Sequence, residues 1–149
     1  MRLIRPALFV GPAVHAEDIP RLRRAGITAV LSLQEPVRDL PETAIERVRA
    51  ACGDHIAYRN VGVRDYDPHD LSRRLPLILE TLAQLHQAER IVYVHCCEGV
   101  NRAPSVALAY LVRVEGLAVD EAVAELARLY PVGRPYAEFV ESLRGTALF

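Results

Sequence analysis

Residues 91–111, IVYVHCCEGVNRAPSVALAYL, decide how this chain is read. The opening Ile91-Val92-Tyr93-Val94 is an apolar, β-branched run with the character of a short buried strand. The closing segment, Ala103 to Leu111, is made of good helix formers and interrupted only by Pro104, where a first-turn proline is tolerated. Between them lie His95-Cys96-Cys97-Glu98-Gly99-Val100-Asn101-Arg102, in which five residues separate a cysteine from an arginine. A loop rising from a strand into a helix N-terminus can turn successive N–H groups inward. With the positive end of the helix dipole they form a cradle for a phosphate-sized anion. Gly99 suits the backbone conformation that such a loop needs.

The chemistry follows from the cradle. A thiol at Cys96 would sit at its bottom, where the donors that hold an anion also favour the thiolate, the nucleophilic form. Arg102, planar and permanently charged, can hold two phosphoryl oxygens at once, which lysine cannot. Thiolate attack on phosphorus, with arginine and amides on the equatorial oxygens, gives a cysteinyl-phosphate that water then cleaves.

His95-Cys96-x-x-Gly99-x-x-Arg102 resembles the signature of the cysteine-dependent protein tyrosine phosphatase superfamily, and the short chain resembles its dual-specificity branch. The plainer reading is an inert structural cysteine followed by an incidental arginine. Histidine, glycine, preceding strand and following helix together favour the functional one.

At 149 residues the chain is expected to form one domain, 1–149, large enough to bury a core. A net charge of −1 leaves no basic footprint, so nucleic acid is not an expected partner. Three cysteines, two of them adjacent, make no disulfide framework and point to reduced thiols in a cytoplasm. The apolar run of the first twelve residues is too short for a signal peptide, and no window approaches a membrane span.

Ala7–Val10 reads as a first strand ended by Gly11-Pro12, and Glu17–Ala25 as a short helix stopped by Gly26. Thr28–Leu33 is a second, central strand; Pro41–Cys52 a helix ending on a small apolar filler, Cys52; Ile56–Val61 a third strand. The loop Gly62–Asp70 follows, with Asp65, Asp67 and Asp70. Phosphoester cleavage needs a proton for the departing oxygen, and a carboxylic acid on such a loop can supply it. Asp70 reads as the N-cap of a helix over 71–88, whose apolar stripe includes Leu75, Leu77, Ile78, Leu82 and Leu85, with Pro76 as kink or true start. Val119–Tyr130, with Asp120 as a possible cap, and Arg134–Arg144 are the last helices, the latter expected to pack on the sheet.

Strands interleaved with helices predict an α/β sandwich with the anion site beyond the carboxyl end of the Ile91–Val94 strand. The resemblance implies the same: a three-layer fold, a mixed central sheet flanked by helices. It also implies roles: Cys96 as nucleophile, Arg102 as phosphate clamp and Asp65, 31 residues before Cys96, as general acid, with Asp67 as the alternative. The loop residues Cys97, Glu98, Gly99, Val100 and Asn101 would surround the phosphoryl group, and His95 would orient the loop. No metal or cofactor is implied, and the expected protein is a monomer acting on phosphorylated protein or carbohydrate.

Within the branch, three segments are similar to plant glucan phosphatases: Ile4-Arg5-Pro6 with Phe9-Val10-Gly11, Arg64-Asp65-Tyr66-Asp67 with Leu75-Pro76, and Tyr93–Cys96 with Arg102-Ala103-Pro104. There Tyr66 occupies the place of an aromatic that stacks on sugar. The absence of tryptophan and the Cys97-Glu98 pair depart from that pattern and favour phosphotyrosine, aryl phosphates and phosphoserine or phosphothreonine, with phosphoglucan as the alternative. A non-catalytic phosphate-binding module, arsenate reduction and rhodanese-type sulfur transfer rank lower. Ala103 stands where relatives commonly carry a hydroxyl that aids phosphoenzyme breakdown, so release of the covalent phosphate is expected to be slow.

Overall fold

The computed structural model describes residues 1–145. Its elements are β1 (Arg2–Arg5), β2 (Leu8–Gly11), α1 (Ile19–Arg24), β3 (Ala29–Ser32), α2 (Glu42–Cys52), β4 (Ala57–Asn60), α3 (Pro68–Gln87), β5 (Val92–His95), α4 (Arg102–Arg113), α5 (Val119–Leu129) and α6 (Ala137–Gly145). A 3₁₀ turn, Ala16–Asp18, leads into α1.

The five strands lie in the order β1-β2-β5-β3-β4; β1 runs antiparallel to β2 and the remaining pairs are parallel. Side chains alternate between the two faces, as the pleat requires. Leu8, Val10, Ala29, Leu31, Val92 and Val94 enter one apolar cluster with α3, α4, α5 and α6. Val30 and Tyr93 enter the other, with Ile19 and Leu22 of α1 and Ile45, Val48 and Cys52 of α2. Helices therefore cover both faces, the expected three layers. β5 is central, pairing Gly11 with His95 on one side and Ser32 with His95 on the other. Because β2, β3, β4 and β5 are parallel, the chain leaves all four at one edge of the sheet, where ligand sites of open α/β sheets form.

The differences from expectation lie at element ends. β1, Arg2-Leu3-Ile4-Arg5, carries one buried side chain, Ile4, next to an exposed Leu3, so it has no strand pattern to read. α3 starts at Pro68, capped by Asp67, whose side chain accepts the Asp70 N–H at 2.9 Å. Asp70 does not cap it: its carboxylate accepts the Arg64 N–H at 2.8 Å and pairs with Arg73. The helix continues through Pro76, and Leu77 of the expected stripe is exposed. Asp120 does not cap α5, whose N-cap is Ala118; it reaches Arg144 in α6 at 2.7 Å. α6 begins at Ala137 and packs on α3, α4 and α5 rather than on the sheet. Cys52 is buried filler, and burial pushes its thiol pKa up.

Candidate active site

The loop between β5 and α4 is shaped by what its carbonyls bond to. The Cys96 carbonyl lies 3.1 Å from His95 Nδ1. The Cys97 carbonyl accepts the Ala13 N–H at 2.9 Å, the Gly99 carbonyl accepts the Tyr130 hydroxyl at 2.8 Å, and the Val100 carbonyl accepts the Arg134 N–H at 2.6 Å. Across a trans peptide, N–H and C=O point opposite ways. Four carbonyls held by the scaffold therefore leave the N–H groups of the following residues directed to the opposite side. Asn101 adds a side-chain tie, Nδ2 donating to the Arg134 carbonyl at 2.8 Å.

His95 is buried, and its pKa is pushed down to about 4, chiefly by that burial. It is the neutral imidazole near neutral pH, with Nδ1–H donating to the carbonyl of the next residue. Gly99 has φ +72°, and a Cβ there would stand 2.6 Å from the Gly11 carbonyl carbon and 2.7 Å from the Tyr130 hydroxyl. It is required both for its backbone and for the close approach of the β2 turn. Tyr93 braces that turn, its hydroxyl donating to the Pro12 carbonyl at 2.8 Å.

Beneath the loop, Cys96 Sγ accepts the Ala103 N–H at 3.4 Å, from the first turn of α4. The thiol is buried at the base of a pocket of about 50 Å³, room for a few heavy atoms. Cys96, Cys97, Glu98, Val100, Asn101, Arg102, Asp65 and Tyr66 line it. Of the loop residues expected to surround the phosphoryl group, Gly99 alone is not in that lining; it faces the β2 turn behind the loop.

Arg102 is the largest fully buried side chain among the described residues. Its Nη1 donates to Asp39 Oδ2 at 2.7 Å and to the Val63 carbonyl at 2.8 Å, with the Leu33 carbonyl at 3.4 Å. Nη2 meets Asp39 Oδ1 at 3.4 Å and Cys97 Sγ at 3.3 Å, and Nε lies 3.4 Å from Asp65 Oδ1. Burial alone would lower the arginine pKa, but Asp39 and then Asp65 raise it, so the charge is permanent. Burial would likewise raise the Asp39 carboxyl; the Arg102 bonds and the Glu35 N–H hold it below the usual range.

Asp39 was not visible to sequence reasoning. It sits on the turn after β3, near Val37, a non-glycine residue at φ +74°. Cys97 is pressed into the wall, where Gln34 Nε2 donates to its sulfur at 3.4 Å and burial raises the thiol pKa. Asp67 is committed to the α3 cap and does not line the pocket, whereas Asp65 does.

Residues 8–146 match the family described as "Dual specificity phosphatase, catalytic domain". The chain is 35% identical over 125 residues to a phosphoglucan phosphatase, DSP4, of Castanea sativa, covering 80% of this chain and 33% of that protein. It is 31% identical over 143 residues to the dual specificity protein phosphatase Mpk3 of Drosophila melanogaster, covering 96% of this chain and 33% of that protein. The chain thus spans about a third of the length of these curated relatives. The crystal structure of Tk-PTP in its active form superposes with a TM-score of 0.80 at 19% identity, covering 97% of this chain and 93% of that one, a likeness of fold.

Proposed function

This chain belongs to the dual specificity phosphatase catalytic-domain family, and we propose that it hydrolyses phosphomonoesters through a phosphocysteine on Cys96. The observation that carries this is the pairing of a buried thiol with an arginine whose Nη1 is bound away from the pocket by Asp39 and Val63. Nε, 3.4 Å from Asp65 Oδ1, and Nη2, 3.3 Å from Cys97 Sγ and 3.4 Å from Asp39 Oδ1, hold only long contacts and form the guanidinium edge that two phosphoryl oxygens would take.

In the reaction the sulfur of Cys96 attacks phosphorus and the bond to the leaving oxygen breaks. Asp65 gives that oxygen its proton. Water then attacks the phosphocysteine, Asp65 takes the water's proton, and Cys96 departs as thiolate. A phosphoryl group seated on Arg102 displaces the present Asp65–Nε contact and frees the carboxyl for the leaving oxygen. No step uses a metal or a cofactor.

Phosphotyrosine and other aryl phosphates are the proposed substrates, with phosphoserine and phosphothreonine as further ones. A phosphoglucan is the second reading, favoured by the similarity to the Castanea sativa protein and by Tyr66, 78% exposed at the pocket mouth. No helix among the described residues is long and apolar enough to cross a membrane. A monomer in a reducing cytoplasm suits a mechanism that needs the free Cys96 thiol.

The test is hydrolysis of para-nitrophenyl phosphate with EDTA and reductant. Wild type is expected to turn over, and Asp65→Asn to lose on the order of 10²-fold or more in kcat, the scale of general acid catalysis. Asp67→Asn is expected to keep both kcat and stability, since the asparagine Oδ1 accepts the same Asp70 N–H and asparagine caps helices as well as aspartate does. The reverse pattern would assign the acid to Asp67. Phosphotyrosine peptide compared with phosphorylated glucan separates the two substrate readings.

Ala103 supplies an N–H to the sulfur but no hydroxyl. Acid-quenched turnover of labelled substrate is therefore expected to trap phosphocysteine, and Ala103→Ser to shorten its lifetime. An unchanged turnover rate in that variant would count against slow release.

A further inference from the structure

Tyr136 stands outside the loop and the acid segment, at the entry to α6, yet it meets both. Its N–H donates to Ser105 Oγ in α4 at 3.2 Å. Its hydroxyl accepts the Tyr66 N–H at 2.8 Å and donates to Asp65 Oδ1 at 3.2 Å. The same Oδ1 receives the Tyr66 N–H at 3.0 Å and lies 3.4 Å from Arg102 Nε. Among the described residues no hydrogen bond reaches Asp65 Oδ2. One carboxyl oxygen is thus saturated with donors, and the other is left for a proton.

We infer that Tyr136 is a positioning residue for the general acid: its hydroxyl pins Asp65 Oδ1 and so presents Oδ2, bearing the proton, to the leaving oxygen. The inference rests on Asp65 being that acid. Asp65 is on an exposed turn whose next residue, Tyr66, has φ +59°, a region that a non-glycine residue seldom adopts unsupported. The Tyr66 N–H bond to the phenol supplies that support and ties the turn to α4 through Ser105. Burial, and then the Asp65 charge, push the phenol up to about 12, so it remains a donor at any pH where the enzyme would work. The charged and titratable groups meeting there are Asp65, Arg102 and Tyr136, with Asp39 and Cys97 on the far side of the guanidinium.

A mispositioned acid matters only when the leaving oxygen needs a proton. Phenyl phosphate and 2,4-dinitrophenyl phosphate are therefore compared in wild type, Asp65→Asn and Tyr136→Phe. Tyr136→Phe is expected to lose about tenfold or more in kcat/KM on phenyl phosphate, the parameter that reports cleavage of the ester rather than release of the covalent phosphate. On the dinitrophenyl ester, whose phenolate leaves unaided, it is expected to match wild type within a few-fold. Equal losses on both esters, or none on phenyl phosphate, overturn the inference.

If Asp65→Asn itself shows no such leaving-group dependence, the reading of Asp65 falls first and the inference with it. Should Tyr136→Phe fail to fold, Tyr136→His, which keeps a ring N–H at this position, is put through the same two-ester comparison. A loss in kcat/KM confined to phenyl phosphate supports the inference, and equal losses on both esters overturn it.

Discussion

Cys96→Ser is expected to abolish hydrolysis, with kcat falling by about 10⁴–10⁶-fold, the scale seen when a covalent nucleophile is removed. The hydroxyl is close in size to the thiol but has no base beside it. His95, the nearest imidazole in sequence, is buried and directs Nδ1 to a carbonyl. The proposed anion site does not depend on the sulfur: it would be formed by loop N–H groups, opposite carbonyls bonded to other groups, and by Arg102. Tungstate binding measured by calorimetry is therefore expected to stay within a few-fold of wild type. Residual turnover near the wild-type rate would remove Cys96 from the mechanism, and loss of tungstate binding would mean that the sulfur also shapes the loop.

Asp39→Ala is expected to damage both stability and catalysis. Arg102 is 1% exposed, and Asp39 supplies the shortest of its contacts. Removing one partner of a buried ion pair leaves an uncompensated charge, costing about 3–5 kcal/mol. The freed guanidinium would also turn, and a displacement of about 1 Å at the reacting centre costs on the order of 10²-fold in kcat/KM.

The pH dependence has a definite sign. The folded Asp39 carboxyl titrates below its ordinary range, so its stabilisation is fully present above the unfolded value, about 3.9. It is lost as pH falls through the lower folded value. Urea unfolding of wild type is expected to lose this increment on acidification below about pH 4. Asp39→Asn, which has nothing to titrate there, should lose less over the same window, and parallel stability curves for the two proteins would refute the pairing.

Legibility from the sequence divides along the same lines as these residues. The Ile91–Leu111 stretch carries its own local grammar: an apolar run, a glycine-bearing loop, then helix formers. Strand, loop and helix can be read there without knowing their neighbours, and so can the juxtaposition of Cys96 with Arg102. Asp65 is legible as one acid in a polar turn. Only packing separates it from Asp67, which the α3 cap holds while Asp65 faces the guanidinium.

Element ends are harder, because caps are decided by which of several competent side chains reaches the free N–H groups. Asp70 has the composition of a cap, but the Arg64 N–H and Arg73 hold its carboxylate, and Asp67 caps instead. β1 is a strand because β2 pairs with it, not because four residues with one buried side chain ask to be extended.

By itself the sequence determined the layer arrangement, through its alternating apolar periods, and the thiol–arginine loop, through adjacent residues whose chemistry is local. Tertiary structure alone decided the rest of the site. Asp39 lies 63 residues from Arg102, and Tyr136 lies 71 from Asp65. Neither sits in a pattern that names its partner. Parallel strands bring the chain segments after β3, β4 and β5 to one edge of the sheet, and α6 lays Tyr136 against them. The orientation of a buried charge or of a catalytic carboxyl depends on the donors and acceptors that surround it in space. Those neighbours come from segments remote in the chain, so only the folded arrangement can specify them.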